Sequence, residues 1–149
     1  MMKGIIKMEI GKDYIGVGVG AFIINDNNEL LLQKRAVPAE KDHWCIPGSR
    51  LEMFETLEHA VIREVKEETD LDIKVIKLMG ICDHIIQDEN AHWVAMSYLC
   101  KIESGTPKIM EQDKASDMKW FNLNELPEKL TITTKKALAD YKKILEKKI

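Results

Sequence analysis

The segment Gly48–Leu71, GSRLEMFETLEHAVIREVKEETDL, constrains this chain more than any other. Residues Thr56 to Thr69 read as a helix. At about 100° per residue, Leu57, Ala60, Val61 and Val65 form its apolar stripe. Glu64 and Glu68 fall inside that stripe and Glu67 lies on its edge, while Glu58, His59, Ile62, Lys66 and Thr69 point outward. A Glu-rich helix is ordinarily a solvated one with i,i+4 ion pairs, and Arg63 with Glu67 fits that reading. Glu64 and Glu68 do not fit it. Neither has a cation at i±3 or i±4, and each has the other as its nearest charged helical neighbour. A half-buried, unpaired carboxylate costs on the order of several kcal/mol. A hard divalent cation with oxygen ligands offsets that cost, and Mg²⁺ typically binds a few carboxylates, water and substrate phosphate.

The rest of the chain supplies surfaces for this helix to pack against. Tyr14–Asn25 and Glu29–Arg35 read as strands joined by Asp26-Asn27-Asn28, which predicts a hairpin. Gly16, Gly18 and Gly20 lack the following helix of a dinucleotide fingerprint, so close backbone packing within a sheet is the better reading. Pro38–Ser49 reads as a loop. Ile73–Gln87 and His92–Ile102 read as long strands, the second apolar on both faces and therefore central. Met118–Phe121 is a short strand. Thr133–Lys147 is a closing helix with Ala137, Leu138, Tyr141, Ile144 and Leu145 at helical spacing. Helices and strands alternate, which predicts an α/β or α+β class with helices packed on a mixed sheet.

Composition narrows the function. The 149 residues fit a single domain, 1–149, and a net charge of -3 gives no basic footprint for a nucleic-acid polymer. Cys45, Cys82 and Cys100 are odd in number and form no C-x-x-C pair, so the expectation is reduced thiols in a cytoplasmic protein. Met1–Ile10 is too short and too charged for a signal peptide or a membrane span. His43, His59 and His84 lack zinc spacing, and Ser49 is not in a nucleophile elbow. The arginines are Arg35, Arg50 and Arg63, and a planar guanidinium suits phosphate.

At the carboxylate helix the sequence resembles a Nudix box: Gly, five residues, Glu, seven residues, Arg-Glu, an aliphatic, any residue, Glu-Glu, any residue, Gly, an aliphatic. Here the run is Ser49, Glu55, Arg63-Glu64-Val65, Glu67-Glu68, Asp70 and Leu71, so every charged and aliphatic position matches and both glycines are replaced. Asp tolerates the left-handed conformation expected where a helix ends. Ser49 is the more serious departure, because serine lacks the freedom of glycine at positive φ. A wider resemblance runs from about Gly16 to Pro127, through Trp44-Cys45-Ile46-Pro47-Gly48, Glu89–Val94, Met110–Lys114 and Trp120-Phe121. It is similar to the Nudix subgroup that hydrolyses nucleoside triphosphates to monophosphate and pyrophosphate.

The resemblance implies an α/β/α sandwich with a mixed sheet between helices. It implies Mg²⁺, with Mn²⁺ as substitute, on Glu64, Glu67 and Glu68, with the Gly48 carbonyl as a further ligand and Glu64 or Glu68 activating water. Glu111 is a further carboxylate by the same resemblance, and otherwise an exposed loop acid. Glu55 and Arg63 are implied to brace the loop against the helix. Arg35, Arg50 or Lys34 are candidates for outer phosphates, and Trp44, Trp93, His92 and Phe121 for stacking on a base. Two other readings stay open: a nucleotide-sugar (ADP-ribose type) pyrophosphatase, disfavoured because no proline follows the box at the spacing associated with those members, and a non-catalytic nucleotide-binding module. The subgroup also leaves open a homodimer; the expected partner is a small nucleotide, with no membrane.

Overall fold

The structure, a computed structural model, describes residues 6–147. In chain order the elements are β1 (Gly16–Ile23), β2 (Glu29–Arg35), β3 (Trp44–Cys45), β4 (Gly48–Arg50), α1 (Leu57–Thr69), β5 (Asp72–Ile86), a 3₁₀ turn (Gln87–Glu89), β6 (Ala91–Ser104), β7 (Ala115–Asn122) and α2 (Ile132–Glu146). They form a four-stranded sheet in the order β4-β1-β6-β5 and a three-stranded sheet in the order β3-β2-β7. The first is mixed: β1 runs parallel to β6, while β4 and β5 are antiparallel to their neighbours.

Two cores lie on opposite faces of β1. Val19, Ala21 and Ile23 pack with Ala60, Val61 and Val65 of α1, whereas Phe22 packs with Leu30, Leu32 and Ala137 of α2. This is the period of two that a strand imposes. β2 shares the pattern. Leu31 joins the α1 core and Leu30 and Leu32 the α2 core, so the whole apolar run is buried. β6 lies between β1 and β5, where its two apolar faces are covered. None of the described helices is long and apolar enough to cross a membrane.

The hairpin expectation needs correction. The Asn25 side chain accepts from Asn27 and Glu29 N–H groups at 3.0 and 2.9 Å and shapes the turn. But β1 and β2 meet only at the Ile24–Leu30 bridge, then part into different sheets. Each strand has two faces to bury, and pairing with separate sheets brings both under cover. The Pro38–Ser49 loop contains β3 and the first two residues of β4, and the Met118–Phe121 strand extends to eight residues. Thr69 does not point outward. It is fully buried, and its hydroxyl donates to the Val65 carbonyl at 2.7 Å.

Candidate active site

Helix α1 starts at Thr56, whose hydroxyl accepts the His59 N–H at 3.2 Å. It ends at Asp70, which adopts the left-handed conformation with φ 62°. Lys66 and Lys108 lie 3.5 and 3.3 Å from the Asp70 carboxylate and offset part of the cost of that conformation. The other box departure is resolved by register. Ser49 pairs with Val19 within β4 and has no positive φ. The conformational demand falls one residue earlier. Gly48 has φ 148°, and a Cβ there would stand 2.1 Å from the Val19 carbonyl oxygen. The essential glycine is therefore present, and serine is accommodated beside it.

Arg63 organises the acids. Its Nε and one terminal nitrogen grip both oxygens of Glu55 at 2.5 and 2.8 Å, and that terminal nitrogen also donates to the Arg50 carbonyl at 3.1 Å. The other terminal nitrogen reaches Glu64 at 2.8 Å and Glu67 at 3.3 Å. The β4–α1 loop is thereby fastened to the helix by a charge-assisted fork. The Arg63 bond holds the Glu55 carboxyl down at about 2. Glu64 is buried, and its burial raises its pKa in spite of Arg63. Glu67 remains half-exposed.

Glu68 faces a different set of groups. Gln33 Nε2 donates to one oxygen at 2.6 Å and the Gly48 N–H to the other at 3.0 Å. Burial, reinforced by the charges of Glu64 and Glu111, pushes Glu68 up to about 8. Glu111 comes from the β6–β7 loop, which is tied to the end of α1: Lys108 N–H donates to the Thr69 carbonyl at 3.0 Å and Met110 N–H to the Glu68 carbonyl at 3.1 Å. Glu111 is also paired with Lys114 at 3.3 Å. Glu68, Glu111, Asp113, Lys114 and Gln33 line a chamber of about 350 Å³.

A second cavity of about 320 Å³ adjoins it, lined by Gly18, Glu40, His84, Trp93, Ser97 and Thr133 among others. Arg35, Cys45, Gly48 and Ser49 belong to both walls. The Arg35 guanidinium donates to the Ala39 and Pro38 carbonyls at 2.6 and 3.0 Å, fixing the β2–β3 loop across this junction. One chamber is acidic and the other is largely apolar, with a guanidinium between them.

Of the side chains considered for substrate, Arg35 and Trp93 line the second cavity. Trp44 does not: it packs edge-on against Phe121, with ring centroids 4.9 Å apart, inside the α2 core. Its strand is at the edge of the three-stranded sheet, and the indole turns into the α2 core rather than toward either chamber. Arg50 is exposed and reaches the site only through its backbone carbonyl. His92 is the second residue of β6, where its N–H donates to the Gly11 carbonyl at 2.8 Å, and it lines neither cavity. Gln33, Glu40 and Ser97 are site residues that sequence reasoning did not single out. A trace of Gln33 was visible, as the polar residue in step with Leu31 that directly follows the apolar run Leu30–Leu32.

The fit to a metal rests on the donors. Among the described residues, no three His, Cys, Asp or Glu side chains converge into a complete cage, since Glu64 and Glu67 are drawn onto Arg63. Mg²⁺ does not require one, because it keeps several waters and uses one or two carboxylates plus substrate phosphates. The donors are all carboxylate oxygens, two of them desolvated and mutually repelling. This set fits a hard divalent cation.

Comparison with known proteins agrees with this geometry. The NUDIX domain model matches residues 15–141. A crystal structure of a MutT NUDIX hydrolase from Burkholderia pseudomallei is 37% identical, with a TM-score of 0.80, covering 85% of this chain and 97% of that one. A protein of Methanocaldococcus jannaschii named ADP-ribose pyrophosphatase is 35% identical over 80% of this chain and 69% of its own length. Nudix hydrolase 5 of Arabidopsis thaliana is 28% identical over 73% of this chain, which spans 37% of that protein. The chain belongs to the NUDIX family and is a hydrolase of that family.

Proposed function

We propose that this enzyme hydrolyses a nucleoside triphosphate to the monophosphate and pyrophosphate, with Mg²⁺ or Mn²⁺ held by Glu64, Glu67 and Glu68 and approached by Glu111 and the Gly48 carbonyl. The observation that carries this reading is the pair of adjoining chambers, one acidic and one largely apolar, that share Arg35 and Gly48. A nucleoside fits the second, its phosphate chain crosses the junction, and the scissile anhydride lies beside Glu68.

When bound, the cation polarises phosphoryl oxygens and makes the attacking water more acidic. The chain's own groups do the rest. Glu64 and Glu68 orient water and take its proton. Burial favours proton uptake by both. Gln33 and the Gly48 N–H keep Glu68 in one orientation, and Arg63 does the same for Glu64. Glu55 fixes Arg63, so its effect on the reaction is indirect. Arg35 and Lys114 line the acidic chamber and supply positive charge to the departing phosphates.

A second reading, cleavage of a nucleoside diphosphate sugar, is favoured by the name of the Methanocaldococcus relative. A screen of nucleoside triphosphates, ADP-ribose and other nucleotide sugars, with products separated by chromatography, tests both. Monophosphate plus pyrophosphate is the expected product pair. Turnover confined to nucleotide sugars would replace the first reading with the second. Tight nucleotide binding with no phosphate or pyrophosphate released over hours in Mg²⁺ or Mn²⁺ would make the protein a binding module.

A further inference from the structure

The second, largely apolar cavity has a hydroxyl on its wall that is open to a ligand. Ser97 is 9% exposed and lines the cavity, and no other described residue hydrogen-bonds its hydroxyl. It stands beside the small residues Gly18, Gly20 and Ala95, which line the cavity with it, whereas Gly80 lies beneath Asp140 of α2. Strand register places Gly20, Ser97 and Gly80 in one row and Gly18, Ala95 and Cys82 in the next. Gly16, Trp93 and His84 form a third row. Alternation along each strand puts all three rows on one face of the sheet. The indole of Trp93 lies on glycine backbone, since a Cβ at Gly16 would come within 2.5 Å of the ring and one at Gly11 within 2.2 Å. A flat floor with an aromatic wall suits a planar ring.

Opposite the floor, the β2–β3 loop contributes Glu40. One of its oxygens accepts from His84 Nε2 at 2.7 Å and the other from the Ile132 N–H, in the first turn of α2, at 2.8 Å. A carboxylate has about four acceptor positions, and these bonds use two. Burial alone would raise Glu40, yet the bonds from His84 and Ile132 pull it below the ordinary carboxylate range. The group facing the cavity is therefore a fixed anion that can only accept.

We propose that Glu40 is a specificity-determining residue, which makes the site prefer a base with an exocyclic amino group over the oxo counterpart of that base. This inference rests on the nucleotide reading above and names the substrate class of the same site. An amino group donates to the carboxylate. A carbonyl oxygen in its place sets acceptor against anionic acceptor, and the ring N–H beside that carbonyl reaches the carboxylate only if the base shifts from the position the amino base takes. The Ser97 hydroxyl donates or accepts, so it adds affinity for either kind of base.

The test compares kcat/KM for CTP against UTP and for ATP against ITP, in the wild type and in Glu40→Gln, together with calorimetric binding of CMP and UMP without metal. The wild type should favour the amino member of each pair by at least about tenfold. The isosteric amide of Glu40→Gln offers a donor or an acceptor and should bring both ratios to within about threefold of unity. A purely structural Glu40 would lower both members equally and leave the ratios unchanged, and that result overturns the proposal. So does a wild-type ratio near one, which decides the matter even if the variant fails to fold. Should no triphosphate be hydrolysed, the triphosphate reading falls, while CMP and UMP binding still decides the amino preference.

Discussion

Glu64 and Glu68 sit one helical turn apart on α1 but meet different surroundings. Glu64 is held by a guanidinium, Glu68 by two neutral donors, and this difference sets their behaviour. Replacing Glu64 by Gln keeps its shape and removes its charge. Turnover should fall at least about a hundredfold with the thermal unfolding midpoint little changed; a near-normal rate would remove Glu64 from the reaction. For Glu68 the consequence is a pH dependence of stability. Its folded pKa of about 8 exceeds the ordinary 4.5, so the folded state retains a proton that the unfolded chain has lost. Metal-free protein should therefore lose stability as pH rises from about 4.5 to 8, the direction that proton linkage requires. Denaturant titrations in EDTA across that range should give a falling curve for the wild type and a flatter one for Glu68→Gln; parallel curves would contradict the assignment.

At the scale of elements, the turn into β4 decides whether the box works. The family pattern directs attention to Ser49, but the steric demand is at Gly48, whose missing Cβ admits the Val19 carbonyl. Gly48→Ala should disrupt the β1–β4 pairing and the N–H that holds Glu68, with a large loss of both activity and stability. Ser49→Gly should leave turnover within about twofold, as a change at a residue of ordinary φ does. Steady-state rates and melting curves of the two variants check this, and a faster enzyme from Ser49→Gly would show that serine does distort the turn. Thr69 shows the limit of helical projection. Its angle on the wheel points it outward, but α1 ends there, and the chain turns at Asp70 into β5 and covers it.

At the scale of the whole molecule, the acidic chamber joins residues from β2, β4, α1 and the loop before β7. A cation bound there ties these parts together and stabilises only the folded state. Mg²⁺ with nucleotide should raise the melting temperature, and EDTA should abolish both that gain and hydrolysis; full activity in EDTA would exclude metal catalysis. The sequence by itself determined the long elements and the acid helix, because apolar periodicity and the spacing of charges within it are properties of neighbours along the chain; it missed the short strands β3 and β4, and that Glu64 pairs with the adjacent Arg63. The resemblance to the Nudix box also implied Arg63 and Glu55 as a pair. Only the tertiary structure decided that β1 and β2 separate into two sheets, that Trp44 is core while Trp93 faces a cavity, and that Gln33 and Glu40 reach the site. Those facts depend on which distant residues meet across sheets and loops: Gln33 and Glu68 are 35 positions apart, Glu40 and Ile132 are 92 apart, and no local pattern encodes such contacts.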